Sequence, residues 1–222
     1  MISEEIQRIH EALPSGVRLV AVSKYHPSEA IREAYAAGQR VFGESHAQEL
    51  QRKHQELADL GLEWHFIGHL QTNKVKYIAP YVHLIHAVDS LHLLSEINKQ
   101  ALKSARIIPC LLQLHVAQEE TKFGFTPDEA RLFLEEGVWR TMKGVEIAGI
   151  MAMATNTDNT FRIREDFHQA RRFFEEARKD FFQESNHFRE LSMGMSDDWH
   201  IAVDEGSTLI RIGTQIFGQR QY

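Results

Sequence analysis

A regular alternation constrains this chain more than any single residue does. Eight short apolar runs, each followed by a stretch with helical spacing, fill its 222 residues. The runs cover residues 17–24, 40–42, 64–68, 82–87, 107–116, 145–153, 189–193 and 209–212. Strand alternating with helix builds a parallel sheet, because a parallel pair needs a crossover long enough to hold a helix. Runs such as V-R-L-V-A-V and I-I-P-C-L-L-Q-L are too apolar for a sheet with one wet face, so helices must cover them. Eight such units predict an α/β chain folded as a single (β/α)8 TIM barrel, one domain over residues 1–222. An extra amino-terminal helix precedes it over residues 2–12, with Ile2, Ile6 and Ile9 on one face and Ser3 as its cap. A doubly wound open sheet is the alternative, but its dinucleotide-binding form would carry G-x-G-x-x-G after the first strand, and none follows.

Local signals agree with the alternation. Gly38 closes a helix over residues 28–37, a long polar helix runs on to Leu60, and Pro80 stops one opened by Asn73. Asp89-Ser90 caps a helix over residues 91–104, and Thr126-Pro127 opens another. The longest helix spans residues 161–182. Its Phe167, Phe173, Phe174, Phe181 and Phe182 are spaced for burial against the barrel, and Arg171 and Glu175 form a surface pair.

Charge and cysteine usage narrow the function. With 25 basic against 31 acidic residues the formal charge is -6 and no basic cluster stands out, which argues against a nucleic-acid partner. The single cysteine, Cys110, sits inside an apolar strand and has no partner for a disulfide, as suits a reducing compartment. The amphipathic, acidic amino terminus is not a secretory signal, and no apolar run approaches a membrane span. A cytoplasmic protein is expected.

In a barrel the chemistry gathers at the carboxyl ends of the strands. That rule draws Lys24, Glu44, Ser45, His69, Asp89, the 115–124 loop, Met153, Ser192, Ser196 and the segment Arg211-Ile212-Gly213-Thr214 into one mouth. A partly desolvated lysine amine loses its proton more readily and can condense with an aldehyde. Phosphate sites in barrels form at the loops after strands seven and eight. There Gly194 and Gly213 permit close backbone approach, while Ser192 and Thr214 offer hydroxyls. Lysine at strand one and a phosphate cradle at strands seven and eight together fit a small phosphorylated aldehyde. Although the chain has 13 histidines, no H-x-H or H-E-x-x-H motif occurs, and no metal is expected. His69 remains a candidate ligand contact.

Five segments carry a family likeness: V-A-V-S-K, F-G-E, H-F-I-G-H-L-Q-T-N-K, G-I-M-A-M-A, and L-S-M-G-M-S-D-D with G-S-T-L-I-R-I-G-T-Q-I-F-G. In order and spacing they resemble the pyridoxal phosphate homeostasis proteins. The resemblance implies a monomeric barrel like the amino-terminal domain of alanine racemase, holding pyridoxal 5'-phosphate as an aldimine on Lys24. It implies phosphate contacts from Ser192, Gly213 and Thr214, with Met193 and Gly194 in the same loop and Arg211 near the pyridine nitrogen. Ser45 stands where the family commonly has asparagine, and His115 where it has a small polar residue, while Glu120, Lys122 and Gly124 keep their places. The implied role is a carrier or regulator of the cofactor, possible recipients being cofactor-dependent apo-enzymes. A cofactor-dependent amino-acid racemase or decarboxylase is the alternative. It needs acid and base groups on both faces of the cofactor, and the alanine racemases draw one of these from a second domain that this sequence does not show. A Schiff-base aldolase would be colourless when pure, and a metal-dependent hydrolase would carry metal.

Overall fold

In the computed structural model, which describes residues 1–119 and 123–219, the eight runs become parallel strands that close into a barrel in sequence order. They are β1 (Arg18–Val22), β2 (Val41–Glu44), β3 (Glu63–Phe66), β4 (Leu84–Val88), β5 (Ile108–Leu114), β6 (Val145–Ala152), β7 (Glu190–Ser192) and β8 (Leu209–Ile212). Closure comes from β8 pairing back onto β1, with Leu19 opposite Ile210 and Ala21 opposite Ile212. Several strands are shorter than their apolar runs because the chain leaves the ladder at the carboxyl end, where Ser23, Val116 and Met193 stay buried while Lys24, Ile67 and Met153 are partly exposed. Past β1, Ser23 still donates its N–H to Gly43 O before the chain turns. β2 departs from expectation in the opposite sense, extending two residues further to include Glu44.

The helices between them are α2 (Ser28–Ala36), α3 (Ala47–Glu56), α4 (Val75–Ile78), α5 (Leu91–Lys103), α6 (Pro127–Glu136), α7 (Thr160–Phe181) and α8 (Trp199–Asp204). The amino-terminal helix α1 (Ile2–Ala12) packs on α2 and on the short closing helix α9 (Thr214–Phe217). Ser3 is not its cap: Met1 holds that position and Ser3 lies within the first turn. The Ser90 and Thr126 caps form as the sequence implies, Thr126 within a reciprocal capping box with Glu129. α3 ends short of Leu60 because the backbone turns at Leu57, whose side chain is buried. α8 starts at Trp199 because Asp198 Oδ1 accepts the Met195 N–H and holds a turn before it.

Side-chain parity divides the interior in two. Leu19 and Ala21, Trp64 and Phe66, Ile210 and Ile212 face outward into the layer shared with the helices, where Phe167, Phe173 and Phe174 of α7 also lie. Val20, Leu84, Leu111, Ala148, Met151 and Leu209 fill the barrel's inside. Arg211 and Ser192 are in phase with the inside set, and Ser23 with the outside set. Lys24 therefore follows Val20 and Val22 toward the mouth.

Candidate functional site

Lys24 lies two residues beyond β1 and lines a cavity of about 590 Å3 at the carboxyl end of the barrel. Ser45, His46, Gln48, His69, Gln71, Lys74, Gln113, Phe123 and Met153 share the lining, so the cavity opens from Lys24 toward β2, β3 and β5. On its other side β1 is paired with β8. The Gly213 N–H stands 3.4 Å from Ser196 Oγ, and Thr214 Oγ1 lies 3.2 Å from that same oxygen. A Cβ at Gly213 would come within 3.2 Å of Val22 O, a tight contact, so glycine eases the close approach of the segment after β8 to the end of β1. Gly194 has φ +93, and a Cβ there would meet Ala202 Cβ at 2.7 Å, so the loop after β7 also depends on glycine.

The Lys24 segment rests on a buried ionic cluster that sequence reasoning did not find. Lys53 of α3 is fully buried, and its Nζ donates to Ser23 O at 2.7 Å, Glu44 Oε1 at 2.7 Å and Glu49 Oε1 at 2.8 Å. Ser23 Oγ donates to the same Glu44 oxygen at 2.7 Å. Glu49 Oε1 accepts the Tyr25 N–H at 2.7 Å. Burial pushes the Glu44 carboxyl up to about 7 even though Lys53 opposes the shift.

Beneath the mouth a row of polar groups crosses the barrel. Arg211 is buried and donates to Ser192 Oγ at 2.5 Å and to Ala152 O at 3.1 Å. Ser192 Oγ is 3.0 Å from His86 Nδ1, and His86 Nε2 is 3.0 Å from His65 Nδ1. Burial lowers the His65 pKa to about 3, holds His86 well below its usual value, and brings Arg211 down to about 10. Both imidazoles are thus neutral and Arg211 is charged at neutral pH.

The structure sorts the remaining candidates. Ser45 and His69 line the cavity, and His69 stacks on Phe123 with centroids 4.0 Å apart while its Nδ1 lies 3.2 Å from Asp89. The Ser192 hydroxyl is turned into the barrel, so the hydroxyls beside Gly213 are those of Ser196 and Thr214. Met193 points into the layer beneath the helices, and its N–H and C=O are bonded within the fold. Glu120 and Lys122 lie outside the described residues. Among the described residues no group of three or more His, Cys, Asp or Glu side chains is placed to hold a metal ion. One signal for the inner row was legible: a histidine inside the apolar strand L-I-H-A-V must find a buried partner. Lys53 gave no such signal, since a lysine on a polar helix reads as solvated.

Fold and site together define a class. The family model described as "Alanine racemase, N-terminal domain" matches residues 1–221. An alanine racemase of Clostridium difficile shares the fold alone, with a TM-score of 0.76 at 13% identity over 100% of this chain and 57% of that one. Closer relatives narrow the class. A pyridoxal phosphate homeostasis protein of Aquifex aeolicus is 39% identical over 224 residues, covering 100% of this chain and 96% of that protein. PipY of Synechococcus elongatus PCC7942, solved without PLP, superposes with a TM-score of 0.92 at 41% identity, over 98% of this chain and 100% of that one. With PLP bound, PipY gives a TM-score of 0.89 at 40% identity over the same shares, 98% and 100%. The chain belongs to the pyridoxal phosphate homeostasis protein family.

Proposed function

We propose that this chain binds pyridoxal 5'-phosphate through Lys24 and acts in intracellular homeostasis of that cofactor, as carrier or regulator, without appreciable turnover of amino acids. The observation that carries the reading is the pairing of β1 with β8, which brings the segment that follows β1, with Lys24, and the segment that follows β8, with Gly213 and Thr214, to the same end of the barrel. When bound, the cofactor supplies an aldehyde that a lysine amine can attack, a dianionic phosphate and an electron-withdrawing ring. The donor set fits it. Lys24 offers the amine; the Gly213 N–H and the hydroxyls of Ser196 and Thr214 offer donors for phosphate. Arg211 contributes fixed positive charge beneath, oriented by Ser192 and Ala152 O. The names of the relatives and the PLP-bound PipY structure support the assignment.

As finer parts of the same reading, the chain is a monomeric single domain, works in the cytoplasm and passes cofactor to apo-enzymes. Among the described residues no helix is long and apolar enough to cross a membrane. The test is borohydride reduction of cofactor-loaded protein followed by peptide mapping. Label on Lys24 is expected, and its loss in Lys24→Ala; label on Lys74 instead would overturn the site. Release of cofactor to an apo-enzyme, measured beside release into free solution, tests the carrier role: a faster rate with the apo-enzyme means direct transfer.

A further inference from the structure

Lys24 is flanked by two backbone groups that the fold holds from behind. The Ser23 carbonyl accepts from Lys53 Nζ at 2.7 Å and from the His26 N–H at 3.1 Å. The Tyr25 N–H donates to Glu49 Oε1 at 2.7 Å. Tyr25 has φ 68, a left-handed conformation that a side chain of its size rarely takes and that persists only where the surroundings over-determine it. Lys53 supplies that constraint. All three of its ammonium donors are committed, one to each of Ser23 O, Glu44 and Glu49. Glu49 in turn spans Lys53 and Tyr25, and Glu44 spans Lys53 and Ser23 Oγ. An ammonium removed wholly from water is an expensive way to stabilise a helix–sheet layer, since well-packed apolar side chains of similar volume serve as well. Its placement makes sense for geometry: it fixes both peptide groups around the one residue whose amine must meet an aldehyde carbon.

We infer that Lys53, Glu44 and Glu49 are positioning residues that clamp the backbone on both sides of Lys24 and so aim its amine. The inference rests on the proposed attachment of the cofactor at Lys24. None of the three lines the cavity, so they act on the ligand only through Lys24. Losing the clamp lets the Lys24 segment relax, and a misplacement of about 1 Å costs a reacting pair up to about a hundredfold. Binding of the phosphate and ring draws on groups at β7 and β8 and is untouched.

The test compares pyridoxal 5'-phosphate with pyridoxine 5'-phosphate, which carries an alcohol where the aldehyde stands, on the full chain and its Lys53→Met, Glu49→Ala and Glu49→Gln variants. In Lys53→Met and Glu49→Ala, affinity for the aldehyde and the rate of borohydride trapping on Lys24 should fall about tenfold or more, with pyridoxine phosphate binding changed by less than about twofold. Glu49→Gln keeps an acceptor for Tyr25 and should recover trapping to within about threefold. In the ligand-free chain, amide exchange at Tyr25 should speed up in Glu49→Ala and not in Glu49→Gln. Unchanged trapping in the folded variants overturns the clamp, and so does an equal loss for both ligands, which would mean a merely structural role. If Lys53→Met fails to fold, the Glu49 pair decides the question alone. A wild-type chain that does not prefer the aldehyde would instead overturn the proposed attachment itself.

Discussion

His86 Nδ1 lies 3.0 Å from Ser192 Oγ, joining β4 to β7 through the inside of the barrel. The direction of that bond follows from the far end of the row. Arg211 only donates, so Ser192 Oγ accepts from it and turns its own proton toward His86 Nδ1. His86, neutral because it is buried, then carries its proton on Nε2 and gives it to His65 Nδ1. One guanidinium under the mouth thereby orders two histidines across the barrel, and they in turn hold the serine that orients it.

Replacing His86 with Phe keeps bulk and aromaticity but strands Ser192 and His65. The loss should be about 1–3 kcal/mol for each buried group left unsatisfied. Urea unfolding measures it. A double-mutant cycle with Ser192→Ala should show coupling of about 0.5–3 kcal/mol, and strict additivity would mean that the two side chains do not act as a unit.

Glu44 and His65 make opposite contributions to stability as pH changes. The His65 pKa is depressed to about 3, so the folded state refuses a proton that the unfolded state takes, and stability is lost as pH falls below about 6.5. The Glu44 pKa is raised to about 7, so the folded state favours the protonated acid. That contribution is whole below about 4.5 and is lost as pH rises through 7. Glu44→Gln mimics the protonated acid. Its stability relative to the parent should therefore rise between pH 5 and pH 8, by up to about 3 kcal/mol. A difference that does not change with pH would show that Glu44 does not titrate in this range.

How far the sequence alone reaches depends on whether a residue's environment repeats. The barrel was legible because its signal recurs eight times and each helix brings its own punctuation, as with Gly38, Ser90 and Thr126. The place of Lys24, Gly213 and Thr214 at the carboxyl end of the barrel was legible because strand ends collect at one mouth whatever the details. Ser192 was placed at the end of β7, but its partners Arg211 and His86 were not legible, because they come from β8 and β4 and meet it only once the barrel closes. Lys53 was invisible for a related reason. It sits on the face of α3 that the polar run Q-E-L-Q-R-K-H-Q-E hides, and only packing against β2 turns a surface residue into a clamp.

The different partners of these hydroxyls yield a test on the phosphate side. Thr214→Val and Ser196→Ala remove hydroxyls beside Gly213 and should weaken cofactor binding, each by about 1.5–3 kcal/mol if its bond is charge-assisted, with little change in urea unfolding. Ser192→Ala should behave differently, because it deprives Arg211 and His86 of a buried partner. It should cost stability by about 1–3 kcal/mol and weaken binding through Arg211. Binding by titration and unfolding by urea separate the two patterns. A Ser192 variant that loses affinity while keeping full stability would place its hydroxyl directly on the phosphate.

Arg211 also bears on whether the protein turns over amino acids. Burial brings it only to about 10, so it stays protonated at neutral pH, and it presents donors with no acceptor. In the proposed binding mode Arg211 would stand near the ring nitrogen, where such a group would favour an unprotonated nitrogen and weaken the ring's pull on electrons, which racemisation and decarboxylation require. Transfer of a cofactor held at Lys24, as proposed, to another amine would need no such pull. Holding and handing over the cofactor therefore suit this site better than breaking bonds at the α-carbon of an amino acid. Incubating cofactor-loaded protein with single L-amino acids in deuterated water and following the α-proton by NMR should show no exchange near about 1 s⁻¹, the lower end of ordinary turnover. Exchange or D-isomer at such rates, lost in Lys24→Ala, would make this an enzyme and overturn the carrier reading.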